Sequence, residues 1–307
     1  MFVAGTGRSG STLLDVMLGS LDGFVSGGEL KWYWARGLQQ GRRCGCGLPS
    51  PECPFWTAVR SELTDRDPHE VNTLYGTVAR TRHAMYSAIG RPPDLGPLPS
   101  IVAELYHALR TVSGQPLVVD SSKSPAALNV ALQASPVVHV IHLVRDPRAV
   151  AYSNVRPKRS DSVQGTFIRT LTPAHSTRKW AAWNVLTERI GPSAATYQRV
   201  RYEDLVSDPE ATLQPVLERI GVDSRPIIRR GSDGIPVAEL ETSHAIGGNP
   251  SKFDVGAVPI RLDDQWRQAA APSLRATATG WSLPLLHHYG YRLRTASART
   301  EPRETTT

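Results

Sequence analysis

Residues 2–14 read FVAGTGRSGSTLL. The apolar run 2–4 predicts a short buried strand, the glycine-rich stretch 5–10 predicts a turn, and a helix begins at Ser9 or Ser11. The helix continues with one apolar face, which consists of Leu13, Leu14, Met17, Leu18 and Leu21. A strand, a glycine loop and a helix in direct succession are typical of the first unit of a parallel α/β sheet.

The rest of the chain alternates between apolar runs and helical patterns. The apolar runs lie at 24–26, 117–119, 137–144 and 195–200, and the helical patterns between and after them lie at 124–134, 147–155, about 176–190 and 209–220. Continuous apolar runs indicate strands that are buried on both faces of a parallel sheet. The predicted fold class is therefore α/β in three layers, with a central parallel sheet flanked by helices.

The composition indicates one globular domain. Of the 307 residues, 40% are hydrophobic and 21% are charged, which excludes a disordered or collagen-like chain. We expect a domain at 1–294 with a helical insert at about 30–115 and a polar, flexible tail at 295–307. No apolar run approaches the ~20 residues of a membrane span, and no secretory signal precedes the glycine loop, so a cytoplasmic location is expected. Within the insert, helical patterns lie near 56–64, 71–90 and 100–113.

The loop 5–12, GTGRSGST, has the glycine spacing of a phosphate loop, followed by a hydroxyl pair. Backbone amides at the start of a helix bind anions, so the loop predicts an anion site in a P-loop-like fold. Nucleoside triphosphatases carry a lysine directly after the second glycine, where this chain has Ser11, and the cation within the loop is Arg8. The sequence therefore disfavours ATP hydrolysis.

A second candidate anion site lies at 145–153, RDPRAVAYS. It follows the most apolar run, so Arg145 ends a strand and Ser153 lies about two helical turns later, where both can bind one phosphate. The structural alternative is an Asp-Pro helix start with a solvated arginine. The net charge of +7 comes mostly from arginine, which also favours an anionic ligand. Nucleic acid is not expected as a partner, because the known recognition motifs are absent.

Together the two stretches resemble the sulfotransferases that use 3′-phosphoadenosine 5′-phosphosulfate (PAPS), and bacterial members of the carbohydrate and tyrosylprotein type more than the cytosolic aryl type. VRYEDLVSDP at 200–209, GNPSKF at 248–253 and IRLDDQW at 260–266 extend the resemblance. It implies PAPS as co-substrate, 3′,5′-ADP as product and no metal. It assigns Arg145 and Ser153 to the 3′-phosphate. It assigns the 5′-phosphosulfate and the other contacts with PAPS to Gly7, Arg8, Ser9, Gly10, Ser11, Thr12, Tyr202, Ser251 and Lys252.

The resemblance also implies the catalytic residues. In tyrosylprotein and many carbohydrate types the general base is a glutamate in a Gly-Glu context after the loop helix, and GGEL at 27–30 matches it at Glu29. The KTHLP-like segment that carries the base of the cytosolic type is absent, and His142 is the next candidate. Lys123 is implied to lie near the bridging oxygen, and Arg8 to share the charge of the leaving phosphate. A structural salt bridge for Glu29 and a helix-start cation for Lys123 are the alternatives.

The acceptor is predicted only by class, as a small molecule, glycan or lipid with a hydroxyl group. Two other functions stay open at this point: a P-loop small-molecule kinase, and a non-catalytic protein that binds a nucleotide or nucleic acid. We expect the insert and the segment 155–180 to bind the acceptor. The aromatic side chains that the insert offers are Trp32, Tyr33, Trp34, Phe55, Tyr75, Tyr86 and Tyr106.

Three cysteines, Cys44, Cys46 and Cys53, are close in sequence. Zinc binding with a histidine such as His69 as the fourth ligand is one interpretation, but the spacing is not that of an established finger or ribbon. An odd number of cysteines argues against a disulfide framework, although one bond from Cys53 to Cys44 or Cys46 fits the spacing. The simplest interpretation is three reduced cysteines without a metal.

Overall fold

The computed structural model describes residues 1–159, 167–168, 170–225 and 228–293. The strands are β1 Phe2–Gly5, β2 Phe24–Gly28, β3 Leu117–Lys123, β4 His139–Val144, β5 Lys158–Arg159, β6 Phe167–Ile168, β7 Thr196–Arg201, β8 Ile228–Arg230, β9 Pro236–Leu240 and β10 Gly256–Pro259. The α-helices are α1 Ser11–Gly19, α2 Pro54–Ser61, α3 Pro68–Val78, α4 Thr81–Ala88, α5 Leu98–Ser113, α6 Pro125–Ala134, α7 Pro147–Val155, α8 Pro173–Ile190, α9 Tyr202–Ser207, α10 Pro209–Arg219, α11 Trp266–Ala269 and α12 Pro272–His288. A π-helical segment spans Tyr33–Gln39, and short 3₁₀ turns span Leu30–Trp32, Ser50–Glu52, Gly191–Ser193 and Pro250–Phe253.

Five of the described strands form a parallel sheet in the order β2-β3-β1-β4-β7. The central strand β1 pairs with β3 on one side and with β4 on the other, so that Phe2 lies opposite both Asp120 and Val140. Because the strands are parallel, their carboxyl ends meet at one edge of the sheet. That edge is where a sheet of this kind binds its ligands. The strand ends that meet there are Gly5, Gly28, Lys123, Val144 and Arg201.

Both faces of the sheet are covered by helices, which confirms the predicted α/β layers. On one face Val3 joins an apolar core with Leu14 of α1 and Leu217 of α10. On the other face Phe2 packs with Leu128 of α6. Consecutive residues of β1 therefore contribute to different cores, which is why the strands read as continuous apolar runs. Each fully buried large apolar side chain stabilises the fold by roughly 1.5–3 kcal/mol.

The region of the predicted insert, 30–115, contains helices α2 to α5. Its side chains around Tyr33, Trp34 and Trp56 form an apolar core that also includes Val25 and Val118 of the central sheet. The single helical pattern expected at 71–90 is wrong, because α3 ends at Val78 and α4 begins at Thr81. Glycine and β-branched residues at 76–78 are poor helix formers, and they lie where the first helix ends.

The sequence analysis missed an antiparallel sheet in the order β10-β9-β8. It packs against the central sheet, since Ala238, Leu240 and Ile260 belong to the same core as α1. Its short strands contain Pro236, Gly256 and Pro259, which conceal the strand pattern. The predicted tail at 295–307 lies outside the described residues. Each helix that the structure describes is too short or too polar to span a membrane.

Candidate active site

The loop after β1 holds two residues in left-handed backbone conformations. Arg8 has φ 72° and Gly10 has φ 89°. Arg8 and Lys123 are the non-glycine residues with positive φ in the described part of the chain, and both lie at the carboxyl edge of the sheet. Such a conformation costs about 1–2 kcal/mol for an L-residue, so strain is concentrated at this edge. Within the described chain no side chain caps the start of α1, and the first amide groups of that helix stay open to an anion.

Contacts from two distant segments hold the loop in shape. Arg8 Nη1 donates to Asn249 Oδ1 at 2.9 Å, and the Arg8 carbonyl oxygen accepts from Arg145 Nη1 at 3.0 Å. Inside the loop Thr6 Oγ1 and Ser9 Oγ are 2.9 Å apart and hydrogen-bonded. The ring of Tyr202 lies against Gly10, where a Cβ atom would overlap it. Protein groups thus support the shape of the loop, and such preorganisation lowers the entropic cost of binding.

Arg145 follows β4 and is buried at the same edge. Its Nη2 donates to the carbonyl oxygen of Asp263 at 2.6 Å and lies 3.1 Å from the Asp263 carboxylate. Its guanidinium stacks on the Tyr202 ring at 4.3 Å from the centroid. Arg145 Nε is buried and has no hydrogen-bond partner among the described residues. A buried donor without a partner is rare and marks a place where a ligand can accept. Ser153 lies buried on α7, the helix that follows Arg145.

Glu29 directly follows β2, and its carboxylate accepts three hydrogen bonds. Its Oε1 accepts from Lys123 Nζ at 2.6 Å and from the Gly248 amide at 3.1 Å, and its Oε2 accepts from Trp32 Nε1 at 3.1 Å. Burial by itself would raise the pKa of Glu29, but Lys123 and other nearby cations outweigh it and hold this pKa at about 2. Glu29 is therefore ionised at neutral pH.

The Gly-Glu context of Glu29 has a structural cause. Gly28 has φ 69°, and a Cβ at this position would lie 2.5 Å from the Ile246 carbonyl oxygen. The Glu29 amide donates to that same oxygen at 2.7 Å. Only glycine allows the backbone near Ile246 to pass this close, and that approach brings Gly248 to the Glu29 carboxylate.

Cations outnumber carboxylates around Glu29. Arg8, Lys31, Arg36 and Lys123 all act electrostatically on its charge. Burial lowers the pKa of Lys31 to about 8, although Glu29 opposes this shift. The surplus positive charge favours an anionic ligand at this edge. The sequence analysis did not predict Lys31 and Arg36 as site residues. Their closeness to Glu29 along the chain was the signal that could have indicated this role.

The segment 243–252 supplies the other wall of the site. The amide of Asn249 donates to Thr12 Oγ1 at 3.1 Å, so Asn249 contacts both the loop and the start of α1. Ser251 is half-buried in a 3₁₀ turn, and Lys252 is buried with its Nζ donating to the Arg43 carbonyl oxygen at 2.5 Å. The ammonium of Lys252 thus lies beside the cysteine loop and is also within electrostatic reach of Glu29. Gly248 and Asn249 make the hydrogen bonds to Glu29 and Arg8.

A model of the sulfotransferase family matches residues 1–226, which include the glycine loop, Glu29, Lys123, Arg145 and Tyr202. The chain belongs to the sulfotransferase family. Membership in this family supports the activity of a transferase that moves sulfuryl groups. None of the curated proteins matches this sulfotransferase.

Two solved structures share the fold of this sulfotransferase. The sulfotransferase domain of the Synechococcus PCC 7002 olefin synthase is 22% identical with a TM-score of 0.52, over 95% of this chain and 94% of that one. The sulfotransferase domain from the curacin biosynthetic pathway is 18% identical with a TM-score of 0.51, over 95% of this chain and 98% of that one. Both matches cover 95% of this chain, so the fold likeness extends beyond residue 226.

The alternative base, His142, is enclosed in the core of this sulfotransferase. It has no exposed surface, and its Nδ1 and Nε2 are each 2.8 Å from a partner, the hydroxyl of Tyr197 and Oδ1 of Asn184. Burial lowers the pKa of His142 to about 4. Both ring nitrogens are already engaged, so an acceptor hydroxyl has no access to them.

Most aromatic residues of the insert are structural. Tyr33 and Trp34 are buried in the core of the insert, and the Tyr106 hydroxyl donates to Asp120. Trp32 differs because it is partly exposed, contacts Glu29 and lies 3.9 Å from the Arg36 guanidinium. Positions 160–166 and 169 of the second predicted acceptor segment lie outside the described residues.

The cysteines of this sulfotransferase meet a histidine other than the one proposed from the sequence. Cys44, Cys46 and Cys53 are free and gather around His244. His69 is exposed on α3 and does not belong to this group, so its assignment as fourth ligand was wrong. His244 is separated from the cysteines by most of the chain, and no local spacing could have revealed the pairing.

Proposed function

We propose that this protein transfers the sulfuryl group of PAPS to a hydroxyl of a small-molecule, glycan or lipid acceptor, with Glu29 as the general base. The observation that carries this proposal is the position of Glu29: an ionised carboxylate held by Lys123 and Gly248 at the edge where the anion loop opens. An acceptor hydroxyl needs such a base within hydrogen-bond reach.

The residues at the edge fit the anionic ends of PAPS. When bound, PAPS supplies the sulfuryl group that is transferred. We assign its 5′-phosphosulfate to Arg8 and the open amides at the start of α1, from Gly7 to Thr12. We assign its 3′-phosphate to Arg145 and Ser153, since Arg145 Nε is a buried donor without a hydrogen-bond partner among the described residues. Tyr202 supports both ends, because its ring contacts Gly10 and Arg145.

Lys123 has two tasks in this proposal. In the structure its ammonium neutralises Glu29 at 2.6 Å, which keeps Glu29 ionised but makes it a weak proton acceptor. A second anion beside Lys123 attracts the Lys123 ammonium. The ion pair between Lys123 and Glu29 then weakens, and the pKa of Glu29 rises. Binding of the donor would thus increase the basicity of Glu29, while Lys123 and Arg8 stabilise negative charge on the departing phosphate.

The acceptor is expected beside Trp32. This side chain is the partly exposed aromatic residue that touches Glu29, so an acceptor that packs on it brings a hydroxyl close to the base. Lys31 and Arg36, which also lie against the Trp32 ring, favour acceptors that carry negative charge near the hydroxyl.

The test begins with isothermal titration in the absence of added metal ions. We expect 3′,5′-ADP to bind more tightly than 5′-AMP. Incubation with PAPS and a metabolite extract should then give products heavier by one SO₃ unit. Binding of ATP only with magnesium, and no preference for the 3′-phosphate, would favour a kinase and contradict the proposal.

The base is tested by Glu29→Gln, which keeps the shape of the side chain. Turnover should fall by ~10²–10⁴-fold while the affinity for 3′,5′-ADP stays unchanged, because a base acts on the acceptor. Glu62→Gln, on the exposed end of α2, is the matched control and should keep full turnover. Near-normal turnover of Glu29→Gln with a saturating acceptor would place the base elsewhere.

A further inference from the structure

The group of Cys44, Cys46, Cys53 and His244 lies outside the candidate active site. One ligand atom from each residue falls within 4.8 Å of all the others. His244 Nδ1 is 3.5 Å from Cys44 Sγ and 3.4 Å from Cys53 Sγ, and the sulfurs of Cys46 and Cys53 are 3.6 Å apart. Cys44 and Cys53 are buried, and Cys46 and His244 are half-buried.

These distances match the edges of a metal-centred tetrahedron. Zinc binds sulfur at about 2.3 Å and histidine nitrogen at about 2.0–2.1 Å. In a tetrahedron of that size two sulfurs lie about 3.8 Å apart, and sulfur and nitrogen about 3.5 Å apart. Three thiolates and one imidazole are a ligand set that zinc takes up in closed structural sites.

Hydrogen-bond donors and one cation surround the sulfurs. The backbone amide of Cys46 hydrogen-bonds to the Cys44 sulfur, and that of Trp56 to the Cys53 sulfur. The buried ammonium of Lys252 lies within electrostatic reach of Cys44 and Cys46. Three thiolates and Zn²⁺ carry one net negative charge, which this ammonium balances.

The histidine is held in the orientation that such a site needs. Its ring stacks on Phe55 at 4.4 Å between centroids, with 9° between the planes. Its carbonyl oxygen accepts from Trp56 Nε1 at 2.8 Å. Outer contacts of this kind fix the direction in which a ligating nitrogen points.

We propose that Cys44, Cys46, Cys53 and His244 bind one structural Zn²⁺ ion, independently of the transfer reaction. The metal would join the cysteine loop of the insert to the segment 243–252. That segment continues from His244 through Ile246, which pairs with Gly28, to Gly248 and Asn249 at the active site. The zinc site therefore holds the segment 243–252, which forms a wall of the active site, against the cysteine loop.

The first experiment measures metal in the full-length protein by mass spectrometry of the elements. We expect about one zinc per chain. Replacement by Co²⁺ should give thiolate charge-transfer bands and the ligand-field bands of a tetrahedral site. The cysteines should resist alkylation until a strong chelator is added. Folded protein without metal, or a disulfide between Cys46 and Cys53, would overturn the proposal.

The second experiment separates the two histidines. His244→Ala should lose at least tenfold in zinc content, and His69→Ala, the matched control, should keep it. If His244→Ala does not fold, His244→Cys still tests the assignment, because four thiolates can hold the metal and the cobalt spectrum then shifts. Equal zinc content and an unchanged cobalt spectrum in the His244 variants would rule out His244 as a ligand.

Discussion

Two arginines of the same stretch, 145–148, have different tasks. Arg148 is fully engaged: it pairs with the Asp146 carboxylate at 2.7 Å and donates to the carbonyl oxygens of Arg292 and Leu293. It therefore ties the carboxyl-terminal end of the described chain to the start of α7. Arg145 keeps one buried donor without a described partner, so it is the arginine that can still bind a ligand.

Arg145→Ala should remove the preference for 3′,5′-ADP over 5′-AMP. A charge-assisted contact with phosphate contributes ~1.5–3 kcal/mol, so affinity for 3′,5′-ADP should fall about tenfold to a hundredfold. Titration calorimetry measures both ligands, and Arg219→Ala, exposed on α10, serves as control. A variant that folds and still prefers 3′,5′-ADP as strongly as the parent would contradict the assignment.

Lys123→Met should change the pH profile of kcat/KM. Without this ammonium, the burial that raises the pKa of Glu29 is less opposed, so the pKa moves up from about 2. Glu29 then takes up a proton at a higher pH. As the pH is lowered, the variant should therefore lose activity at a higher pH than the parent. Arg219→Gln should leave the profile unchanged. An acid limb in the same place for Lys123→Met and the parent would show that Lys123 does not control Glu29.

The sequence predicted the site residues that carry a local motif, such as Arg8, Glu29 and Arg145. It did not predict Gly248, Asn249 or His244 as contacts. Their roles depend on pairs more than 190 positions apart in the chain, such as Cys53 with His244. Spacing along a chain reports helix and strand periodicity, and it contains no information about such pairs.

At the scale of one element, Gly7 and Gly10 of the loop between β1 and α1 differ in whether glycine is needed. Gly10 combines a positive φ with direct contact to the Tyr202 ring, whereas a Cβ at Gly7 would meet no atom within 4 Å. The two glycines have the same chemistry but different environments. The geometry thus predicts that only one of them is required for the fold.

Gly10→Ala should lower the free energy of unfolding by more than the ~1–2 kcal/mol that the backbone conformation alone costs, because the Tyr202 ring must also move. Gly7→Ala should change this free energy little. Urea unfolding measures both variants. Equal stability of the two would mean that the loop rearranges freely and that Tyr202 does not define its shape.

Elements with strong patterns were predicted well, and those that depend on tertiary contacts were not. The strands of the central sheet and helices α6, α7 and α10 lie within four residues of their predicted bounds. The sheet of β8 to β10 went unnoticed because each strand is short. Its stability comes from packing on α1 rather than from its own sequence.

At the scale of the whole molecule, Asp15 makes stability depend on pH. It is buried on α1 beneath the site, where Ser26 Oγ donates to it at 2.5 Å. Burial raises the pKa of Asp15 from 3.8 to about 7 in the folded state. Between these values the folded state holds a proton that the unfolded state releases, so stability falls as the pH rises through this window.

Asp15→Asn should abolish this contribution. Relative to the parent, the variant should gain stability with rising pH, by up to about 1.4 kcal/mol per pH unit between pH ~4 and ~7. Urea unfolding across this range measures the difference. Asp22→Asn, exposed after the same helix, should follow the parent at every pH. If the free energies of unfolding of Asp15→Asn and the parent change with pH in parallel, Asp15 is already ionised in the folded protein.

The family match ends at residue 226, but the candidate active site extends beyond it. Gly248, Asn249 and Asp263, which contact Glu29, Arg8 and Arg145, all lie beyond that boundary. The apolar partners Ala238 and Ile260 that cover α1 lie there as well. A chain trimmed to the matched block would keep the glycine loop, Glu29 and Arg145, and still expose its core and lose one wall of the candidate site. Mutational libraries and chimeras of this protein should therefore exchange 1–293 as one indivisible unit.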